Sequence, residues 1–126
     1  MALRAYMASM DSRHPERTLQ LLEPDFRFLI ALPGKEVAGK SKEDFAAYIA
    51  GRNAVDRSHE ILRYSRDGDL ETVYGVVTEG GRYCGSFLSA AVISPRGLLA
   101  RYQSFFTTSF ELVDRSGQAT NDRSRA

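Results

Sequence analysis

Apolar residues recur every three to four positions at the start of the chain and every second position over most of the rest. Leu3, Tyr6, Met7 and Met10 fall at i, i+3, i+4 and i+7, the apolar stripe of a first helix. The polar run Asp11-Ser12-Arg13-His14 ends it, and Pro15 stands at the favoured first position of a second helix carrying Leu19 and Leu22. Pro24-Asp25 closes that helix and releases a strand over 25–32, where Phe26, Phe28, Ile30 and Leu32 alternate with Arg27, Leu29 and Ala31. Pro33-Gly34 and Gly39 mark turns. Ser41 reads as the N-cap of a third helix, with Asp44 three residues on as a variant of the capping box. Phe45, Tyr48 and Ile49 form its buried face.

From Arg57 the texture changes. Segments rich in Val, Ile, Tyr, Phe and Thr are broken by Asp67-Gly68-Asp69, Gly80-Gly81 and Ser94-Pro95-Arg96-Gly97. The first two are hairpin turns and the third a four-residue loop. The pattern predicts four consecutive antiparallel strands, at about 57–66, 70–79, 82–94 and 97–112. Helices first and a long meander afterwards argue for an α+β fold rather than a parallel sheet. Both parities of the later strands are apolar: Cys84, Leu88, Ala90 and Val92 on one, Tyr83, Phe87, Ala91 and Ile93 on the other. A sheet packed on one side alone shows polar residues on its second face. The helices can cover one face, and nothing else in the chain is left for the other. A homodimer through that convex face is therefore expected, with Arg101, on the parity of Leu99 and Phe105, making an intersubunit pair.

Composition narrows the function. A 126-residue chain holds one domain with a real core. Seventeen basic against sixteen acidic residues give a net charge of +1, which removes the electrostatic case for nucleic acid. No apolar run reaches the roughly 20 residues of a membrane span, and no charged-then-apolar leader opens the chain. The only cysteine is Cys84, so no internal disulfide forms. A cytoplasmic protein is expected. The domain runs over 1–113, and the polar residues 114–126 read as a disordered tail. No phosphate-cradling glycine loop, metal-ligand spacing or serine-nucleophile elbow is present, and no cofactor or metal is expected.

The order of elements resembles the nuclear transport factor two-like superfamily, the cystatin-like roll, and within it the SnoaL-like and ketosteroid isomerase-like branch. The residues that carry the resemblance are Tyr6 followed by Met10-Asp11, Leu22-Glu23-Pro24-Asp25-Phe26, Gly39-Lys40-Ser41, Asp67-Gly68-Asp69 and Arg96-Gly97. The likeness covers about residues 2 to 112. It implies three N-terminal helices packed on a strongly curved, mainly antiparallel sheet, a cone-like roll with an internal pocket. It also implies a tyrosine that donates to an oxyanion, matched here by Tyr6. The general-base aspartate and the second acid of the isomerases are matched by Ile30 and Ala90, neither of which can move a proton. Ketosteroid isomerase is a worked example of tuned carboxylic acids, and those acids are absent at these positions.

The same alignment turns Phe26, Phe28 and Ile30 inward from the first strand, and Val73, Gly75 and Val77 from a later one. It adds Leu88 and Ala90, then Tyr102, Ser104 and Phe106, with Ser86 as a further hydroxyl. Such a list suits a hydrophobic small molecule oriented by one or two hydrogen bonds; the plain alternative is that these residues fill the core. Ligand binding is the first functional expectation. The second is an isomerase, cyclase or hydrolase-type enzyme acting on a small carbonyl compound, with Tyr6 as polarising donor and His59 as proton carrier. A third is a dimerising module with a filled interior. His59 could equally be an edge-strand residue paired with its neighbour Glu60, and Glu60 and Glu71 a solvated pair across a hairpin. Cys84, inside a strand, reads as an inert thiol.

Overall fold

A computed structural model describes residues 1–52 and 56–113. The elements run α1 (Ala2–Met10), a 3-10 segment (Pro15–Leu21), β1 (Leu22–Leu32), β2 (Lys35–Gly39), α2 (Lys42–Ala50), β3 (Arg57–Asp67), β4 (Leu70–Glu79), β5 (Arg82–Ile93) and β6 (Leu99–Thr107). They build an α+β fold on one open six-stranded sheet of order β2-β1-β6-β5-β4-β3. All neighbours are antiparallel except β1 and β6, which run parallel. The expected tail, 114–126, lies outside the described residues. Among the described residues no helix is long and apolar enough to cross a membrane.

The expectation of three N-terminal helices packed on the sheet is met only in part. Only α1 and the 3-10 segment precede β1, and α2 follows β2. Leu22, expected on the second helix, is the first residue of β1. Seven residues beginning at Pro15, which has no N–H to donate, make a tight segment rather than a full α-helix. Lys35–Gly39, expected as a stretch between two turns, is a strand, folded back on β1 by a turn in which Gly34 takes a φ of 79°. Ser41 caps α2 as its sequence suggests: Asp44 N–H donates to Ser41 Oγ at 3.1 Å, and Asp44 Oδ2 accepts from Lys40 N at 2.8 Å.

Bulges decide which side chains face the helices. Counted back from the Gly80-Gly81 turn, regular pairing would set Val77 opposite Cys84 and send Ser86, Leu88 and Ala90 inward. The register instead slips: Thr78 pairs with Tyr83 and Val77 with Gly85, so Cys84 is the extra residue. One inserted residue reverses every later side chain. Phe87, Ser89, Ala91 and Ile93 therefore enter the interior, while Leu88 is exposed on the outer face and Ala90 shares its parity. A second slip, with Val92 opposite Arg101 and Ile93 opposite Leu99, makes Ala100 the extra residue. Leu99 is thereby buried, away from the exposed Arg101 and Phe105 whose face it was expected to share.

The outer face is not bare of chain, contrary to expectation. Ser86 Oγ donates to the carbonyl of Phe110 and Leu112 N–H donates to the Tyr74 hydroxyl, each at 2.5 Å. The segment after β6 thus lies across β4 and β5, and β6 ends at Thr107 instead of running on to 112. Leu88 and Phe105 stay uncovered, and Phe110 and Leu112 are themselves exposed.

Glu71 is not a solvated hairpin charge. It is buried, its Oε1 accepts from Leu3 N–H at 2.9 Å, and its Oε2 lies 3.4 Å from Arg66 Nη1. Helix α1 has no side-chain cap of its own, so a carboxylate from β4 fills that role at the positive end of the helix dipole. Glu71→Ala leaves the Leu3 donor buried without an acceptor and is expected to cost about 2–3 kcal/mol. Chemical denaturation checks this, and a change under about 0.5 kcal/mol would show that α1 docks without the contact.

Candidate functional site

The space between α1, α2 and the inner face of the sheet is nearly filled. Leu3, Tyr6, Met7 and Met10 from α1 meet Phe26, Phe28 and Ile30 from β1, Val73 and Val77 from β4, Phe87 from β5 and Tyr102 from β6. What remains open is a cavity of about 60 Å³. Its wall includes Tyr6, Met10, Ile30, Tyr48, Arg52, His59, Tyr102, Ser104 and Phe106. A wider vestibule of about 500 Å³ shares Leu32, Tyr48, Arg52 and Arg57 with it.

His59 stands on β3 with its ring edge against Phe87, centroids 4.9 Å apart. Its Nδ1 is 2.8 Å from Asp11 Oδ1, and its backbone N–H donates to Asp11 Oδ2 at 2.6 Å. Both carboxylate oxygens of Asp11 therefore hold one residue, 48 positions away. Asp11 is the C-cap of α1, where the helix dipole disfavours a negative charge; the contact with His59 is what the position gains. Nδ1 is committed to Asp11, and His59 also lines the cavity. A carboxylate that fixes one imidazole nitrogen and leaves the other as acceptor is the working half of a general-base pair.

The same cavity is lined by hydroxyls. Tyr6 and Tyr102 are buried with ring centroids 4.7 Å apart. The Tyr102 hydroxyl lies 3.2 Å from Ser89 Oγ, which meets Ser104 Oγ at 2.8 Å. Burial, reinforced by the neighbouring Tyr102 and Tyr48, pushes the Tyr6 phenol well above its ordinary value near 10; Arg52 offsets a part of this. Burial also raises Tyr102, against the hydrogen bonds from Ser104, Ser89 and Tyr6. Tyr6 is thus held neutral, as a hydrogen-bond donor.

These raised values make an alkaline prediction. In the unfolded chain both phenols lose their protons near pH 10, while the folded protein keeps them. Above that pH the unfolded state binds fewer protons, so the contribution is intact below about pH 10 and declines as pH rises toward the folded-state values. Tyrosinate absorbance should show Tyr6 and Tyr102, of six tyrosines, titrating only with unfolding. Tyr6→Phe with Tyr102→Phe should flatten the alkaline slope of stability; an unchanged slope contradicts the assignment.

Of the residues singled out from sequence, Tyr6, His59, Ile30, Val77, Tyr102, Ser104 and Phe106 line the cavity. Phe26, Phe28 and Val73 face the same interior as packed core, and so does Gly75, where a Cβ would meet the Glu60 carbonyl. Leu88, Ala90 and Ser86 belong to the outer parity set by the Cys84 bulge, so Ala90 does not occupy the place of a second acid. Sequence reasoning missed Asp11, Ser89 and Arg52. Asp11 had one visible signal, a carboxylate at the wrong end of a helix for its charge. Two larger hollows lie elsewhere. One of about 750 Å³ is on the outer face and includes Arg27, Ala90 and Arg101; one of about 720 Å³ lies beside Glu71 and the start of α1. Neither contains a histidine. Among the described residues no group of three or more His, Cys, Asp or Glu could hold a metal ion.

No protein-family model and no curated protein sequence matches the chain. Solved structures do. A candidate ketosteroid isomerase from Kribbella flavida superposes with a TM-score of 0.70 at 20% identity, covering 99% of this chain and 88% of that one. A candidate isomerase of the SnoaL-like family from Agrobacterium tumefaciens gives 0.68 at 15% identity over 84% and 94%. A candidate polyketide cyclase from Sinorhizobium meliloti gives 0.63 at 17% over 82% and 92%. The chain shares its fold with these structures and with a nuclear transport factor two-like protein from Cytophaga hutchinsonii. At these identities the likeness is one of fold, and activity has to be argued from the site.

Proposed function

We propose that this protein is an enzyme that moves a proton beside the carbonyl of a small compound, as an isomerase or cyclase does. The observation that carries the reading is the Asp11–His59 pair at a cavity that the Tyr6 phenol also lines. A substrate carbonyl that takes the single Tyr6 O–H in place of Tyr102 would have its adjacent carbon toward His59. Nε2 takes the proton, the carbonyl becomes an enolate held by the phenol, and the imidazolium is stabilised by Asp11. If the compound carries a β,γ double bond, return of the proton to the far carbon of the dienolate completes an isomerisation; alternatively, attack of the enolate carbon on a second carbonyl of the same molecule closes a ring, and the imidazolium gives its proton to the new alkoxide. The base that Ile30 cannot supply comes from β3 instead. Simple storage of a bulky hydrophobic ligand is less well supported, because 60 Å³ is far below the roughly 300–1,000 Å³ of ordinary ligand pockets. A small substrate seated at the junction with the vestibule meets that limit.

Hydrogen–deuterium exchange at carbons next to the carbonyl, followed by proton NMR on a panel of small cyclic and open-chain ketones, tests this without knowledge of the natural substrate. The wild type should accelerate exchange of at least one compound. His59→Asn should lower that rate by about 10²–10⁴, and Tyr6→Phe by about 10² or more. Exchange no faster than in buffer, or rates indifferent to both substitutions, would defeat the reading. The uncovered Leu88 and Phe105 on the outer face support a homodimer, which a monomeric mass in light scattering would refute.

A further inference from the structure

We propose that the vestibule is a carboxylate-binding subsite built on Arg52, so that the compound processed at His59 is an anion; the last step rests on the function proposed above. Three cations line this space, Lys35, Arg52 and Arg57, against one carboxylate, Glu79. Arg57 is matched, with both Nε and Nη2 donating to Glu79 Oε2. Arg52 is not. Among the described residues its contacts are the face of Tyr48, 5.8 Å from the guanidinium carbon, and the Met10 thioether, 3.7 Å from Nη1. A thioether is a weak acceptor, and a guanidinium has five donors in a planar fork. A half-buried fork with no anion among the described residues, lining both the cavity and the vestibule, is shaped for a planar carboxylate. Tyr48, Leu32 and Val37 offer apolar walls for the body of such a ligand. Arg52 lines the same cavity as Tyr6, the phenol that would hold the carbonyl. The substrate class that fits is a small carboxylic acid carrying a carbonyl group.

Benzoate and benzamide have nearly the same shape and differ in charge, so they isolate the subsite. Each is titrated into the full-length protein and followed by amide NMR shifts of residues 47–52. Benzoate should bind at least tenfold more tightly than benzamide. Arg52→Gln should bring benzoate down to the benzamide level, and Arg52→Lys, which keeps the charge without the fork, should retain only a part of the difference. Equal affinities, no benzoate binding at millimolar concentration, or a preference that survives Arg52→Gln in a folded protein would each overturn the proposal. A benzoate preference without any ketone exchange removes the enzymatic reading and leaves the subsite. Ketone exchange without a benzoate preference does the reverse.

Discussion

Asp11→Asn is expected to lower catalysed proton exchange by about 10³–10⁴ while the protein stays folded. The substitution keeps shape and length and changes what the side chain can offer. Asp11 accepts from both the backbone N–H and Nδ1 of His59. Asparagine has one acceptor oxygen; once that oxygen takes the backbone N–H, its NH₂ faces Nδ1. The ring must then present Nδ1 as an acceptor and carry its proton on Nε2, which turns the base into a donor aimed at the cavity. The equivalent exchange in serine proteases costs about 10⁴ in turnover by the same route. The loss of folding stability should stay near 1–3 kcal/mol, the value of hydrogen bonds to a charged group. Exchange rates and denaturation midpoints measured on one preparation separate the two effects. An activity loss that merely tracks the unfolded fraction would show Asp11 to be a structural tie between α1 and β3.

Phe45→Ala is expected to destabilise the fold by about 3–5 kcal/mol, the largest effect of any single truncation considered. Phe45 has no exposed surface and is the one buried residue of α2. Its ring meets Phe26 and Phe28 edge-on at 5.4 and 5.0 Å and also packs against Tyr48 and Tyr6. Removing it leaves a hole bounded by rigid rings, which collapse poorly into the space. The helix would then be held mainly by its Ser41 cap and its partly buried residues. Because α2 carries Tyr48 and leads into Arg52, the same change should widen the mouth of the cavity. Phe45→Leu should cost much less, since most of the volume is kept. The denaturant midpoint at constant m-value is the readout, and a loss under about 1 kcal/mol for Phe45→Ala would mean that α2 is anchored elsewhere.

Much of this architecture is legible in the sequence because burial follows period. The spacing of Leu3, Tyr6, Met7 and Met10 fixes the inward face of α1, and alternation along β1 fixes Phe26, Phe28 and Ile30. What period cannot show is a bulge. Cys84 and Ala100 are ordinary strand residues in composition, yet as inserted residues they reverse Ser89 against Leu88 and separate Leu99 from Arg101. Alternation misplaces Ser86, Leu88 and Ala90, which follow the Cys84 bulge on β5, while Tyr102, Ser104 and Phe106 on β6 face the cavity as read. The site is hidden for another reason: Asp11 and His59 belong to different elements and meet through the docking of α1 on the sheet, which leaves no local pattern. Glu71, read as a solvated strand charge, is likewise explained only by the helix end that β4 presents it to.

Proton abstraction at this site requires that His59 hold its proton toward Asp11 and its free nitrogen toward the cavity. Two-bond proton–nitrogen correlation NMR on the histidine ring reads this directly. The neutral ring should carry its proton on Nδ1, with Nε2 resonating as an unprotonated nitrogen, and Asp11→Asn should reverse the pattern. A proton found on Nε2 in the wild-type protein, or a pattern indifferent to Asp11→Asn, would contradict the account.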